Sequence, residues 1–320
     1  MNKDIPSVVY HYCSLETFNS IISNSTIRLT NIAKSNDSEE IKFCFDAFES
    51  TLQTTCLKFA NKHFDDKELI DFFYEINYSS LAAKAIINES LIYYATCFSS
   101  ESDLLSQWRG YANDGKGVAI GFYTAPFIKA RDYKNLKFNK ITYDMSEVKD
   151  GLDKYITKKL QDAYSMTDER NKTTPFMDAI NDILSGMIYN AVFYKNPAFK
   201  EESEWRLVFY PFGNIRNLKV YHKSQDLSSN QLFYDRMCES IEYEKNYNSL
   251  IRGKLQFRFL DDRIISYLDI NFKKIKQSLL AEIIVGPKSR IDDKELRLFL
   301  MSNGYDLSKI SIKKSSATYQ

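Results

Sequence analysis

The chain has 320 residues, and its 43 lysines and arginines against 42 aspartates and glutamates give a formal net charge of +1. This length suffices for one large α/β domain or two ordinary ones, and the neutral balance excludes a global attraction to nucleic acid or an anionic membrane. With 10 glycines and neither a GxGxxG nor a GxxxxGK[ST] sequence, the chain also lacks the standard nucleotide-binding fingerprints.

The first third of the chain alternates between extended and helical patterns. The run "SVVYHYC" (residues 7–13) predicts a β-strand, Ser14 is placed to cap a short helix, and residues 26–32 predict a second strand. "SNDSEE" is typical of a helix start and opens an apolar-periodic stretch, which predicts a helical hairpin over about 39–93.

A second group of strands follows in the middle of the chain. "IYYATCFS" predicts a buried strand, and "DLLSQWRGYANDGKGVAIGF" predicts a short helix or turn, a loop and the strand 118–122. Residues 137–144 predict another strand, followed by two helices over about 146–164 and 175–194.

The C-terminal part reads as strands joined by polar turns. The segments that predict strands are "EWRLVFYP", "LKVYH", "LQFRFLDDRIISYLDI", "LLAEIIVGPKS" and residues 309–314, with a helix at about 292–303 before the last of them. Because strands and helices do not alternate regularly, we expect one α+β domain over residues 1–320. Its mixed, mostly antiparallel sheet would carry helical insertions at about 39–93 and 146–194.

The segment "FKEESEWRLVFYP" (199–211) holds the most informative charge pattern. Successive side chains on a strand point to opposite faces, so Glu204 and Arg206 share one face, opposite Trp205. One interpretation is a half-buried strand whose outer face carries a solvated ion pair. The other is a carboxylate presented to a functional cleft.

Other candidate residues are few. With three histidines and no HExxH or CxxC sequence, a metal site is not expected. His11 lies inside an apolar strand, where a histidine is either a core residue bonded to backbone or a functional group. Trp108, Arg109 and Tyr111 precede a glycine-rich turn, which suits a planar anionic or π-bearing ligand or an ordinary aromatic-plugged turn.

Several blocks of the chain resemble the bacterial domain-of-unknown-function 2971 (DUF2971) family. These blocks are "VYHYCSLETFNSIISNSTIRLTNIAKSNDSEE", "CFSSESDLLSQWRGYANDGKGVAIGF", "KNPAFKEESEWRLV", "EIIVGPKS" and "KISIKKSSATY", and they span most of the chain in order. The resemblance implies kinship of fold more than a defined activity.

The chain also resembles, more distantly, the His, Tyr and Glu layout of ADP-ribosyltransferases. That resemblance implies that His11 holds the nicotinamide-side ribose of NAD, Tyr111 or Trp108 stacks on nicotinamide, and Glu204 is the catalytic carboxylate. A fixed negative charge would stabilise the oxocarbenium-like transition state without a metal. The resemblance further implies cofactor-binding arginines, with Arg28 or Arg109 meeting the pyrophosphate and Arg206 in the same group.

The leading functional hypothesis is therefore an NAD-consuming, ADP-ribosyltransferase-like enzyme of the kind found among bacterial toxins and phage-defence effectors. It would modify a protein or nucleic acid acceptor and be held in check by a regulatory or antitoxin partner. The alternative is a non-catalytic sensor or protein-interaction module, and a metal-independent nuclease ranks below both. Since no apolar run is long enough to cross a bilayer and no leader pattern opens the sequence, we expect a cytoplasmic protein without membrane contact.

Overall fold

The computed structural model describes residues 5–32, 38–64, 67–76, 93–130, 135–168, 171–211 and 254–319, together with Asp235 and Cys238. By contact density the chain divides into two units: residues 1–34, 93–141 and 200–320 make up the first, and residues 35–92 and 142–199 the second. The predicted strand "LKVYH" and residues 77–92 of the hairpin predicted at 39–93 lie outside the described residues.

The first unit is built on one sheet. Its strands among the described residues are β1 (Val8–Cys13), β2 (Thr26–Asn31), β3 (Tyr94–Ser99), β4 (Val118–Tyr123), β5 (Leu136–Lys140), β6 (Glu204–Phe209), β7 (Gln256–Phe259), β8 (Ile264–Asn271), β9 (Leu280–Val285) and β10 (Ser311–Lys314). The pairing order is β10-β9-β4-β1-β3-β2-β8-β7, with β6 between β3 and β5. Only β9 and β10 pair in parallel among these strands, so the predicted α+β class with a mixed, mostly antiparallel sheet is confirmed.

Helices of the first unit connect these strands. Those in the described ranges are α1 (Leu15–Asn24), α4 (Leu105–Tyr111), α5 (Ala125–Ala130), α8 (Lys276–Leu279) and α9 (Asp293–Ser302). Ser14 caps α1 as predicted, because its side-chain oxygen accepts from the amide of Thr17 at 3.2 Å. The helix ends at Asn24, and Ser25, in a left-handed conformation (φ 50°), caps it and turns the chain into β2.

The second unit is mostly helical in the part that the structure describes. Its described helices are α2 (Ser38–His63), α3 (Lys67–Glu75), α6 (Met145–Tyr164) and α7 (Thr174–Ala191). A cluster of phenylalanines forms its core: the ring of Phe176 lies 5.5 Å from that of Phe64 and 5.2 Å from that of Phe73, centroid to centroid. The predicted strand at 137–144 ends sooner than expected, since Asp144 caps α6 by accepting from the amides of Ser146 and Glu147.

The sheet forks at β3. On one edge β3 pairs fully with β6, whereas the other edge is shared: β1 pairs with it at Tyr10–Ser99, and β2 at Thr30–Ala95 and Asn31–Tyr94. No strand of the described ranges is in register with this edge at residues 96–98. A wedge between β1 and β2 therefore opens beside the middle of β3.

No helix within the described ranges combines the length and the apolar character needed to cross a lipid bilayer.

Candidate functional site

Strand register assigns the candidate residues to the two faces of the sheet. Residues directly opposite each other in an antiparallel pair point to the same face. Tyr10 pairs with Ser99, Ser99 pairs with Glu204, and Cys97 pairs with Arg206. These five residues define what we call the polar face.

The opposite face, which we call the apolar face, holds the core of the first unit. Phe98 alternates with Cys97 and Ser99, and its ring lies 5.4 Å from that of Phe127 and 6.3 Å from that of Phe138. The ring of Trp205 stacks on Phe138 at 5.1 Å. Aromatic packing on this face holds β3 and β6 in place beneath the polar face.

Glu204 and Arg206 form an ion pair on the polar face. The arginine donates through Nε to Oε1 of the carboxylate at 2.5 Å and through Nη2 to Oε2 at 3.2 Å. Glu204 is 4% exposed and Arg206 3%, so the outer face of β6 is buried rather than solvated. A two-point contact of this kind fixes the direction of the carboxylate.

The chain enters β6 through a strained residue. Ser203 has φ 48°, a left-handed conformation that costs a non-glycine residue about 1–2 kcal/mol. The end of β3 holds this turn, since the amide of Ser100 donates to the Ser203 carbonyl at 3.0 Å. Glu204 is thus aimed by backbone geometry on one side and by Arg206 on the other.

The polar face is accessible beside this pair. Cys97, directly opposite Arg206, is exposed although its neighbours Thr96 and Phe98 are buried. At the rim, the hydroxyl of Tyr111 donates to Oε1 of Glu202 at 3.1 Å. The site therefore joins a buried charged pair to an open stretch of the same strand surface.

Ser99 connects the rim to the strand. Its hydroxyl donates to the Glu202 carbonyl at 2.7 Å and accepts from the amide of Glu101 at 3.1 Å. Through Glu202, the exposed ring of Tyr111 lies next to the segment that carries Glu204.

His11 lies on the apolar face, not with Glu204. Its ring contacts Phe98 edge-on at 6.0 Å, and Nδ1 lies 3.0 Å from the carbonyl oxygen of Cys97, which belongs to the β3 edge left open by the fork. Because a carbonyl only accepts, Nδ1 carries the proton and the neutral ring keeps its lone pair on Nε2. Burial lowers the pKa of His11, although the Cys97 carbonyl partly opposes this effect.

Of the two aromatic residues predicted to stack on nicotinamide, only Tyr111 has an exposed ring. It is 52% exposed, whereas Trp108 is 0% exposed. Trp108 packs edge-on against Tyr12 at 4.8 Å and donates through Nε1 to Asp103 at 2.6 Å. Trp108 is therefore a packing residue on the buried side of α4.

Arg28 shares the polar face with Glu204. Thr30 pairs with Ala95, and Arg28 points to the same side as Thr30. Its guanidinium lies 3.7 Å from the centroid of the Tyr267 ring and 3.8 Å from the carboxylate of Asp269. With 41% of its side chain exposed, Arg28 can still meet an anion in solution.

Arg109 is exposed at the C-terminal part of α4, away from these pairs. Its guanidinium lies 5.7 Å from the centroid of Tyr319, which also donates to Asp114 at 2.6 Å. Lys288 completes this cluster, with Nζ 2.9 Å from Asp114. The hydrogen bond from Tyr319 and then the one from Lys288 hold the pKa of Asp114 below its ordinary value.

Three residues that sequence reasoning did not single out help to build the site. Ser99 links β3 to Glu202. Asp103 accepts hydrogen bonds from Trp108 of α4 and from Ser315 and Ser316. Tyr10 donates to Glu282 at 2.5 Å. One sequence pattern does indicate the position of Tyr10. In a strand, the alternation of "VVYHYC" places Tyr10 and Tyr12 on one face of the sheet and His11 on the other.

Within the part of the chain that the structure describes, no group of three or more histidine, cysteine, aspartate or glutamate side chains is arranged to hold a metal ion.

A comparison with protein families gives a match to part of the chain. A family model described as "Protein of unknown function (DUF2971)" matches residues 107–207, from α4 to the middle of β6. No curated protein and no solved structure matches the chain, so the resemblance to ADP-ribosyltransferases stays a prediction. The matched segment contains Trp108, Arg109, Tyr111, Glu204 and Arg206, and over residues 107–207 the predicted DUF2971 resemblance is confirmed.

Proposed function

We propose that this chain is an NAD-consuming, ADP-ribosyltransferase-like enzyme whose catalytic carboxylate is Glu204. The observation that carries the proposal is the fixed position of that carboxylate on the polar face, between strained Ser203 and the guanidinium of Arg206. A negative charge held in one direction costs little reorganisation when positive charge develops in a transition state.

The reaction requires breaking the glycosidic bond between nicotinamide and ribose. As the nicotinamide leaves with the bonding electrons, positive charge builds on the ribose, and a nearby carboxylate stabilises it. In this proposal Tyr111 packs on the nicotinamide ring from the rim. Arg28, exposed on the same face, meets the pyrophosphate.

The assignment of His11 changes in this proposal. Since His11 faces the apolar side and donates to the Cys97 carbonyl, it acts as a positioning residue at the fork and does not hold the ribose. Tyr10 and Ser99, which both carry hydroxyl groups, lie on the same face as Glu204 by register. A protein or nucleic acid acceptor and a regulatory or antitoxin partner belong to the same proposal.

A second candidate function is a non-catalytic sensor or protein-interaction module. The specific observation in its favour is that Glu204 and Arg206 neutralise each other while buried, as a structural ion pair does. His11, bonded to backbone, is consistent with this interpretation as well.

Nicotinamide release from NAD tests the two candidates. Purified protein would be assayed with and without cell lysate as a source of acceptor, beside Glu204→Gln and the matched control Glu201→Gln, in which the changed carboxylate is exposed. We expect release by the wild type and by Glu201→Gln, and a loss of about 100-fold or more in Glu204→Gln.

The variant Tyr111→Ala provides an independent test of the proposal, because this exposed ring can be removed without opening the core. We expect it to raise the KM for NAD while the melting temperature stays within about 2 °C of the wild type. Absence of both nicotinamide release and NAD binding in the folded wild type would exclude the enzyme and favour the interaction module.

A further inference from the structure

The helical unit contains a cavity that the proposed function does not use. It has a volume of about 440 Å³ and lies between α6 and α7, with Phe48 of α2 and Tyr194 also in its wall. This volume falls within the range of small-molecule sites, about 300–1,000 Å³.

Two helical glycines line this cavity. Gly151 lies inside α6 and Gly186 inside α7. A Cβ atom added at Gly151 would have no neighbouring atom within 4 Å, and one added at Gly186 would lie 3.6 Å from the hydroxyl of Tyr155, an ordinary contact. Neither glycine is therefore required by packing.

Glycine inside a helix nevertheless has a cost. Each one destabilises a helix by about 1 kcal/mol relative to alanine. The visible effect of both glycines is the space that they leave in the cavity. Two such residues on neighbouring helices, open to the same cavity, indicate a site whose volume matters.

Three of the eleven described residues that line the cavity are aromatic. The rings of Phe48 and Tyr194 are nearly perpendicular, with centroids 5.3 Å apart. Tyr155 of α6 also lines the cavity and lies beside Gly186 of α7. Rings that enclose a small space attract organic cations through their negatively polarised faces.

The charge at the rim has the matching sign. Glu147, in the first turn of α6, is the one charged side chain among the described residues that line the cavity. Its carboxylate makes no ion pair and accepts no side-chain hydrogen bond in the described part of the chain. A cationic ligand would thus find both aromatic faces and a carboxylate.

We infer that this cavity binds a small organic cation, a protonated or quaternary amine that carries an aromatic or short alkyl group. The ammonium group lies toward Glu147 and the apolar group fills the space beside Gly151 and Gly186. This inference is independent of the proposed NAD chemistry, since the cavity is formed within the helical unit alone.

Calorimetric titration of the full chain with phenethylammonium chloride tests the inference, with 2-phenylethanol as the neutral probe of similar shape. We expect saturable binding of the amine, at least about fivefold weaker binding of the alcohol, and a similar loss for the amine in Glu147→Gln. Gly151→Leu places a side chain in the cavity and should weaken the binding of the amine at least about tenfold.

The matched control is Gly110→Leu, since a Cβ at this helical glycine also meets no atom within 4 Å and Gly110 lies in the other unit. It should leave amine binding unchanged, and melting curves would show that all variants fold. The inference is overturned if the amine does not bind, if the alcohol binds equally well, or if Gly151→Leu binds like the wild type.

Discussion

His11 donates through Nδ1 to the carbonyl oxygen of Cys97 at 3.0 Å, across the fork where β1 leaves β3. A side chain thus replaces the backbone donor that a continuous ladder would supply at this edge. Because burial holds the pKa of His11 below its ordinary value of 6.5, the neutral ring is the form that fits the fork.

This pKa shift makes stability depend on pH. The unfolded chain takes up a proton on His11 near pH 6.5, whereas the folded chain does so only at lower pH, so acid favours unfolding. We expect His11→Gln, which keeps a donor but does not titrate, to lose less unfolding free energy than the wild type between pH 7.5 and 5. Parallel urea titrations of the two proteins would measure this, and identical pH dependences would contradict it.

Removal of one partner from the buried ion pair should be costly. In Arg206→Met the Glu204 carboxylate stays buried without its guanidinium, and we expect a loss of about 3–5 kcal/mol in unfolding free energy. The double variant Glu204→Leu/Arg206→Met removes both charges of this pair and should recover most of this loss. Chemical denaturation of both proteins measures the effect, and a double variant less stable than Arg206→Met would refute it.

The strand that carries this pair shows what the sequence could predict. Alternation of charged and apolar residues predicted β6 and its two faces, and both are present. Burial of the charged face could not be foreseen, because a solvated ion pair has the same pattern. Cys97 and Asn139 lie opposite Arg206 on β3 and β5, and both are remote from it in the chain, so the pattern within β6 does not reveal its surroundings.

The position of His11 illustrates the same limit. "VVYHYC" shows that His11 faces away from Tyr10 and Tyr12, but which side meets Glu204 depends on the register Tyr10–Ser99–Glu204. That register joins three distant segments, and a shift of one residue would reverse the faces. The DUF2971 match covers residues 107–207 and assigns no site.

Asp103 should hold the C-terminal segment in place. It accepts from Trp108 Nε1, from the hydroxyls of Ser315 and Ser316, and from the Ser316 amide, at 2.6–2.8 Å. Although burial opposes ionisation, these hydrogen bonds keep its pKa below the ordinary value. Its contribution is therefore present at neutral pH and is lost as pH falls through the lowered pKa.

We expect Asp103→Asn to lower the unfolding free energy by about 1–3 kcal/mol and to release residues 315–319. Hydrogen exchange at the Ser316 amide would show the release directly. Ser308, whose amide donates to Asp306, offers an internal control at another capped turn. Unchanged protection of Ser316 in the variant would contradict this assignment.

Gly117 is needed for the close approach of the loop between α4 and β4 to β1. A Cβ atom at this position would overlap the Cys13 carbonyl oxygen, and the Gly117 amide donates to the Ala112 carbonyl at 2.8 Å. We expect Gly117→Ala to cost about 3 kcal/mol or more.

Gly110→Ala is the comparison for this substitution, because the added methyl group meets no atom within 4 Å inside α4. It should stabilise the protein by about 0.5–1 kcal/mol. Thermal unfolding of the two variants should therefore shift in opposite directions, and a shift of the same sign in both would count against the steric argument.

The hydrogen bond from Tyr10 to Glu282 spans 272 positions of the chain, and the one from Ser315 to Asp103 spans 212. The sheet of the first unit thus depends on pairings between residues that start far apart in the unfolded chain, whereas each helix of the second unit forms its backbone hydrogen bonds between residues four apart. Topology of the first kind slows folding, typically to milliseconds or seconds. We therefore expect helix formation to precede completion of the polar face during refolding, so that Glu204 and Arg206 become buried together only in the last kinetic phase.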